Sequence, residues 1–491
     1  MAINVRDVLR SGVLARLRDS GAQLHIFSNA AEDPAFQSEF GDDQVTVHPL
    51  QDPDDPGFVR TDAWLLHLHV LVLSLRCETV EIMTRDARRR QPLLRLGRSL
   101  LGMAGRRVQD GLLAWCRRRR ARATPDLYGE LFDRYQPDLV VGTRVLTMTA
   151  PTAPSNPRYL DRHLIVEAAR RGVRTLSLVG SWDNLTTAGF FPVEMDAITV
   201  WSREMKDQAT RIHGIPADRV HVTGAPQHDS YARPSRWSRD EFWREQGVDP
   251  ARPVVVYATG TEGLIPNEPR LVQQLLEALP GEVQFFLRLH QLDEPERYSH
   301  LARVGGSAVP GEPAGTDDVT GHSSTDSAPD ASTPSSRRIH FDQAGKAPVG
   351  DFADRDFDAE ELDRLADTLR HADVVVNVAS SISLDAAALG SPVVVLDYDA
   401  EPGTPYARSA RRFYDFTHQL PVMSSGGVAR VGSPAEAVAA IRTYLADPQT
   451  DAEARGRMVE QLCHQIDGAS AERTAGVVLE QLALAVEGRV S

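Results

Sequence analysis

Short apolar runs recur along this chain, separated by amphipathic helical patterns, and that rhythm limits the fold more than any other feature. LHIFS (24–28), TVEIMT (79–84), DLVVGT (138–143), RTLSLVG (174–180) and AITVWS (197–202) read as strands, with LDRHLIVEAARR (160–171) and REMKDQATRIHG (203–214) as helices. After Pro253 the pattern restarts with PVVVYATG (253–260), VQFFLRLH (283–290), ADVVVNVAS (372–380) and SPVVVLDYD (391–399). Helical LVQQLLEALP (271–280), DAEELDRLADTLRH (358–371) and AEAVAAIRTYLAD (435–447) alternate with these. Apolar strands between amphipathic helices predict parallel sheets covered on both faces. At 491 residues the chain exceeds one ordinary core. The expected architecture is α/β, with two doubly wound, Rossmann-like domains facing a cleft, at 1–235 and 250–475. Residues 476–491 read as a C-terminal helix and tail.

Two segments depart from the rhythm. Residues 304–336 are rich in Gly, Pro, Ser, Asp and Thr and nearly devoid of large apolar side chains. Such a stretch cannot offset its own ordering entropy, so it is expected as a disordered insertion in the second domain. Residues 85–122 hold thirteen arginines against Asp86 and Asp110, a local charge of +11 in a chain of net charge −14. Leu93, Leu100, Leu101, Val108, Leu112 and Trp115 recur there at helical spacing. Two readings stand: a basic amphipathic helix on an anionic membrane or polyanionic acceptor, or a surface helix whose arginines are solvated or paired.

The acidic balance argues against nucleic acid as a partner. Cys77, Cys116 and Cys463 form neither a disulfide framework nor a zinc spacing, so no metal is expected and a reducing cytoplasm fits. The first 21 residues lack a signal-peptide pattern. The longest apolar stretch, 63–75, contains His67 and His69 and is too short to span a bilayer.

Ligands of doubly wound sheets bind where strand C-terminal ends open into loops. RTLSLVG opens at Gly180 into Ser181, Trp182, Asp183 and Asn184. Either this loop forms the rim of a site, or Asp183 and Asn184 cap a helix while Trp182 packs. Four motifs decide how the chain is classed: SWDNLTTAG (181–189), VTGAPQHD (222–229), RLH (288–290) and NVASSISLDAA (377–387), followed by DGASAERTA (467–475). Together they resemble the GT-B nucleotide-dependent transferases, in the branch of CDP-glycerol glycerophosphotransferases and surface-glycan glycosyltransferases. The similarity runs from about 136 to 475, without the insertion.

The resemblance implies transfer from a nucleotide-diphosphate donor to an acceptor hydroxyl in surface polysaccharide or glycolipid synthesis. The donor acts as substrate, and no tightly bound cofactor is expected. In the glycerophosphotransferases a histidine follows the loop tryptophan; here Asp183 stands there, and aspartate is a common base for sugar transfer. Gln291 replaces the proline expected after His290. Both departures favour sugar transfer over CDP-glycerol-type polyol-phosphate transfer, which remains the alternative; a non-catalytic nucleotide-sugar-binding protein is a third reading. Asp183 is the expected base, with Ser181, Trp182 and Asn184 on the acceptor side; GAPQHD (224–229) is expected mainly to set the cleft wall near the domain junction, with His228 and Asp229 as acceptor-side contacts. Ser380, Ser381, Ser383 and Asp385 suit a diphosphate and ribose at a helix start, or plain helix capping. Thr259, Gly260 and Thr261 offer a phosphate loop or an ordinary turn, and Arg288 and His290 would neutralise the leaving diphosphate. The expected partners are a nucleotide-sugar donor, a lipid-linked or polymer glycan acceptor, and an anionic membrane reached through 85–122.

Overall fold

A parallel strand pair cannot be closed by a tight turn, so each connection must cross a face of the sheet. Every strand pair among the described residues of the computed structural model is parallel. The structure describes residues 5–51, 55–89, 91–143, 145–146, 161–187, 190–301, 339–345 and 358–490, the side chains of 86–88 and 490 excepted. The segment 304–336 lies outside the described residues.

The chain forms two compact units, each discontinuous in sequence. Unit 1 comprises 1–233, 412–424 and 457–491; unit 2 comprises 234–411 and 425–456. The contiguous ranges read from the sequence therefore miss two returns of the chain to unit 1.

Unit 1 has a two-stranded sheet of β1 (Leu24–Ser28) and β2 (Val45–Pro49), and a four-stranded sheet. The latter runs β3 (Leu139–Gly142), β4 (Arg174–Leu178), β5 (Ala197–Val200) and β6 (Val220–Val222), in that order. The described strands of unit 2 form one six-stranded sheet. Its strands are β7 (Val254–Ala258), β8 (Gln284–Leu289), β9 (Ile339–Gln343), β10 (Val374–Asn377), β11 (Val393–Leu396) and β12 (Ala429–Val431). They lie in the order β12-β11-β10-β7-β8-β9, which is the doubly wound order of a dinucleotide-type fold. Every residue of β7, β8, β10 and β11 is buried, as a sheet covered on both faces demands. β8 and β9 are neighbours, so VQFFLRLH and RIHFDQ belong to one sheet on either side of the insertion.

TVEIMT is not a strand. It opens the helix Glu78–Arg89, with Glu78 and Glu81 in the first turn, where carboxylates complement the helix dipole. Apolar alternation there was too short to separate the two periods. The basic stretch continues as the helical segment Pro92–Ala123, broken at Gly105, whose φ of 76° and ψ of 173° are not helical.

The two returns of the chain are pinned by polar contacts within unit 1. Thr417 N–H donates to Thr79 Oγ1 (2.8 Å) and Thr79 N–H to Thr417 Oγ1 (3.3 Å). At the second return, Asp229 accepts the N–H groups of Ser470 and Ala471, each at 2.8 Å. It thus supplies from a distant segment the cap that the helix Ser470–Val490 needs at its start. Arg473 donates to Thr223 O at 2.8 Å, and Gly224, at φ 80°, sits so close that a Cβ would meet Ser470 Oγ at 2.4 Å. VTGAPQHD and DGASAERTA are therefore two halves of one joint. Asp229→Ala is expected to lower stability by about 1–2 kcal/mol, read by urea unfolding; an unchanged midpoint would contradict the capping role.

Candidate functional site

The sheet of unit 2 has one place where the chain reverses its direction of travel across the strands. From β7 it moves outward through β8 and β9, then crosses to β10 on the other side of β7 and continues to β11 and β12. Ala258 and Asn377 are register partners at the ends of β7 and β10, so the two following loops start side by side. This is the switch point at which doubly wound sheets open a crevice.

After β10 the turn is held by Asn377, whose side chain is fully buried. Its Oδ1 accepts Ser380 N–H and Ser383 Oγ–H, both at 3.1 Å. Ala379 takes a φ of 44°, a left-handed conformation that a residue with a Cβ adopts only when its surroundings enforce it. Ser380 Oγ accepts Ile382 N–H at 3.4 Å, and Ser381 is exposed at the start of the helix Ile382–Ala388. Asp385 is half-buried on that helix. Ser383 is therefore part of the support, while Ser381 faces outward.

After β7 the loop rests on buried acids. Thr259 is buried; its Oγ1 donates to Asp293 Oδ2 (3.2 Å) and accepts His290 N–H (2.9 Å). Gly260 N–H donates to Glu268 Oε2 at 2.8 Å, and Tyr257 O–H to Glu268 Oε1 at 3.2 Å. Burial raises the Glu268 carboxyl to about 8, against the pull of Gly260 N–H and with Asp293 adding to the rise. Thr261 is half-buried, and its carbonyl accepts the N–H groups of Leu264 and Ile265.

Arg288 is corrected by the structure. Its guanidinium is 3% exposed and is committed to Asp342 and, at 2.6 Å, to Glu361. Breaking such a buried pair leaves uncompensated carboxylates, so Arg288 serves the sheet and not a diphosphate. His290 keeps a place at the strand end. Its Nδ1 accepts Leu292 N–H at 3.1 Å and burial lowers its pKa, so at neutral pH it is a neutral ring with its proton on Nε2.

In unit 1, β4 continues through Val179, whose N–H donates to Thr199 O, and opens at Gly180. Asp183 is half-buried and caps the short helix Asn184–Thr187: its carbonyl accepts the N–H groups of Thr186 and Thr187, both at 2.9 Å. Oδ1 accepts Ser181 Oγ–H (2.5 Å) and, weakly, Asn184 Nδ2–H (3.5 Å), and Oδ2 accepts Thr187 Oγ–H (2.9 Å). Trp182 is buried, with its ring edge-on to His418 at 4.8 Å, so it packs the loop and is not a surface for an acceptor.

His418 is the residue that sequence reasoning missed. It arrives on the return segment 412–424, within DFTHQL, which carries no motif. Thr186 Oγ1 donates to Asp183 O (3.0 Å), so in its 2.7 Å contact with His418 Nδ1 it is the acceptor and the ring proton sits on Nδ1. Burial lowers His418 to about 4, with Asp183 opposing; the ring is neutral at pH 7. Asn377, Glu268 and Asp293 were likewise passed over. The one signal was a polar residue closing the valine run of β10.

Asp229, as the remote cap, and His228, buried between Trp201 and a stacked Tyr231, belong to the joint with the terminal helix. Gly180 borders a hollow of about 30 Å³, with Thr143, Thr199, Thr223 and Gln227 also on its wall. That is room for a water molecule and not for a sugar ring. Among the described residues no cluster of His, Cys, Asp and Glu could hold a metal ion.

No family model matches the sequence, and no curated protein matches it. Among solved structures it is similar to a putative UDP-N-acetylglucosamine 2-epimerase from Listeria monocytogenes, with 12% identity, a TM-score of 0.43, and 74% of this chain and 80% of that one covered. It is similar to the wall teichoic acid polymerase TagF (12%, TM-score 0.36), covering 60% of this chain and 57% of that one. It is also similar to WaaG, a glycosyltransferase involved in lipopolysaccharide biosynthesis (11%, TM-score 0.42), covering 96% and 95%.

Glu268 gives a test of the buried loop support. Unfolded, its carboxyl ionises at about 4.3; folded, it holds its proton to about 8. The stability it contributes is therefore complete at acid pH and is lost as pH rises through that window. Glu268→Gln is expected to gain on the wild type by on the order of a few kcal/mol between pH 5 and pH 8, measured by urea unfolding. Parallel pH curves for the two proteins would contradict the assignment.

Proposed function

We propose that this chain is a glycosyltransferase that moves a sugar from a nucleoside-diphosphate donor to an acceptor hydroxyl. The observation that carries the reading is the switch point of unit 2, where the loops after β7 and β10 start beside one another. The loop after β10 holds NVASSISLDAA, one of the motifs that resemble the transferase branch, and the loop after β7 offers Thr261 beside it. In this reading Ser381 and Thr261 donate hydroxyls to the diphosphate, the His290 Nε2–H adds a neutral donor, and Asp385 reaches the ribose. Asn377, Thr259, Ser383, Glu268 and Asp293 hold the two loops in shape.

Asp183 is the proposed base. Oδ2 keeps a second lone pair beyond the Thr187 hydroxyl that orients it. In the reaction the acceptor oxygen attacks the anomeric carbon and the bond from that carbon to the diphosphate oxygen breaks. The acceptor proton passes to Asp183, and the diphosphate leaves with the electron pair. His418 and Thr186 hold the Asp183 backbone, which fixes the direction of its carboxylate. The reading assigns the acceptor to cell-surface glycan or glycolipid synthesis, with the reaction in the cytoplasm and no tightly bound cofactor.

Asp183→Asn keeps one oxygen, for the Ser181 hydroxyl, and turns its NH2 toward Thr187 Oγ1, but it cannot take a proton. It is expected to lower kcat by about a hundredfold or more while nucleotide affinity stays unchanged; a kcat within about threefold of wild type would remove Asp183 as base. A thermal-shift panel of UDP, GDP, CDP and TDP checks the donor pocket. Stabilisation is expected and is reduced in Ser381→Ala. Stabilisation by CDP alone would turn the assignment to polyol-phosphate transfer, and no response to any of the four would end it.

A further inference from the structure

The helical segment Pro92–Ala123 carries a face that the packing of unit 1 leaves uncovered. Its inner side is occupied: Leu113 and Cys116 are buried, Arg120 pairs with Asp62 and Arg98 with Glu81. Its outer side is apolar. Leu93, Leu96, Leu100 and Met103 stand at spacings of three, four and three residues, one stripe of a helix, and are 82, 58, 53 and 77% exposed. Beyond the break at Gly105, Val108 and Trp115 lie two turns apart and are also exposed. Trp115 meets the exposed Trp64, from the helix Pro56–Leu73, edge to face at 5.8 Å. Scattered exposed leucines are ordinary, but an apolar row ending in two indoles marks a docking surface.

Charge identifies the occupant. Arg95, Arg107, Arg118, Arg119 and Arg122 are exposed on the same segment, and among the described residues none of them forms an ion pair. They stand on a chain of net charge −14, so the basic face is local and opposes its own body.

We infer that Pro92–Ala123 lies flat on an anionic lipid bilayer, with its leucines, Met103 and the tryptophan pair in the interface and its arginines on the headgroup phosphates. Indole rings settle at that depth. No helix among the described residues is long and apolar enough to cross a membrane, and in-plane binding needs none. The inference stands apart from the transferase reading, since it concerns neither the nucleotide loops nor Asp183.

Flotation of the full chain with phosphatidylcholine vesicles, and with vesicles containing equimolar phosphatidylglycerol, tests it. The chain is expected to float with the anionic vesicles only, and to be released as salt rises from about 0.1 to about 0.5 M. Leu96→Glu with Leu100→Glu, and separately the charge reversal of Arg118, Arg119 and Arg122, should each reduce flotation about tenfold. Unchanged circular dichroism and unchanged nucleotide response would show that these outward-facing variants fold. Equal binding to neutral vesicles, or flotation that survives both variants, would overturn the inference. So would sedimentation showing self-association that Leu96→Glu with Leu100→Glu abolishes, in a chain that does not float, because the face would then belong to a second copy.

Discussion

Parallel pairing is the constraint from which the rest of this structure follows. When neighbouring strands run the same way, their C-terminal ends gather along one edge and every connection crosses a face. All described strand pairs here obey it. The loops that can differ in chemistry without disturbing the sheet are then those at that edge. In unit 2 the β7 and β10 loops gain a second property, because the chain departs from them in opposite directions, the topology at which doubly wound sheets form a crevice.

Most of the polar chemistry near those loops supports them. Asn377 Oδ1 ties the turn after β10 to its helix, Glu268 receives the backbone of Gly260, and Asp293 receives Thr259 and Tyr298. Glu268 and Asp293 each use both carboxylate oxygens in this way, and buried polar groups so satisfied fix one geometry. The strain at Ala379 shows the turn held against its local preference. Unit 1 follows the same plan at Asp183, whose carbonyl anchors a helix start while its carboxylate is oriented by Ser181 and Thr187.

The sequence made the long apolar strands plain. β7, β8, β10 and β11 are continuous buried runs, and their periodicity has no competing reading. β2 and β12 escaped because they are short or carry half-exposed residues, so their patterns merge with loops. Residues 79–84 were misread because Thr and Val at a helix start imitate a strand. Site residues were legible as motifs but not as roles. Arg288 and Asp229 stand at the right places, yet their partners, Glu361 and the start of the terminal helix, lie 73 and about 240 positions away, and no local pattern announces them. His418 comes from a return of the chain to unit 1 that composition does not betray.

The central claim is that the switch point of unit 2 holds a nucleoside diphosphate. A crystal structure of the protein soaked with such nucleotides measures it directly. The account predicts phosphate density between the two loops, with Ser381 and Thr261 hydroxyls in hydrogen-bond reach and Arg288 still bound to Asp342 and Glu361. Nucleotide density elsewhere on the sheet, with the space between Ala258 and Asn377 closed by side chains, would contradict it.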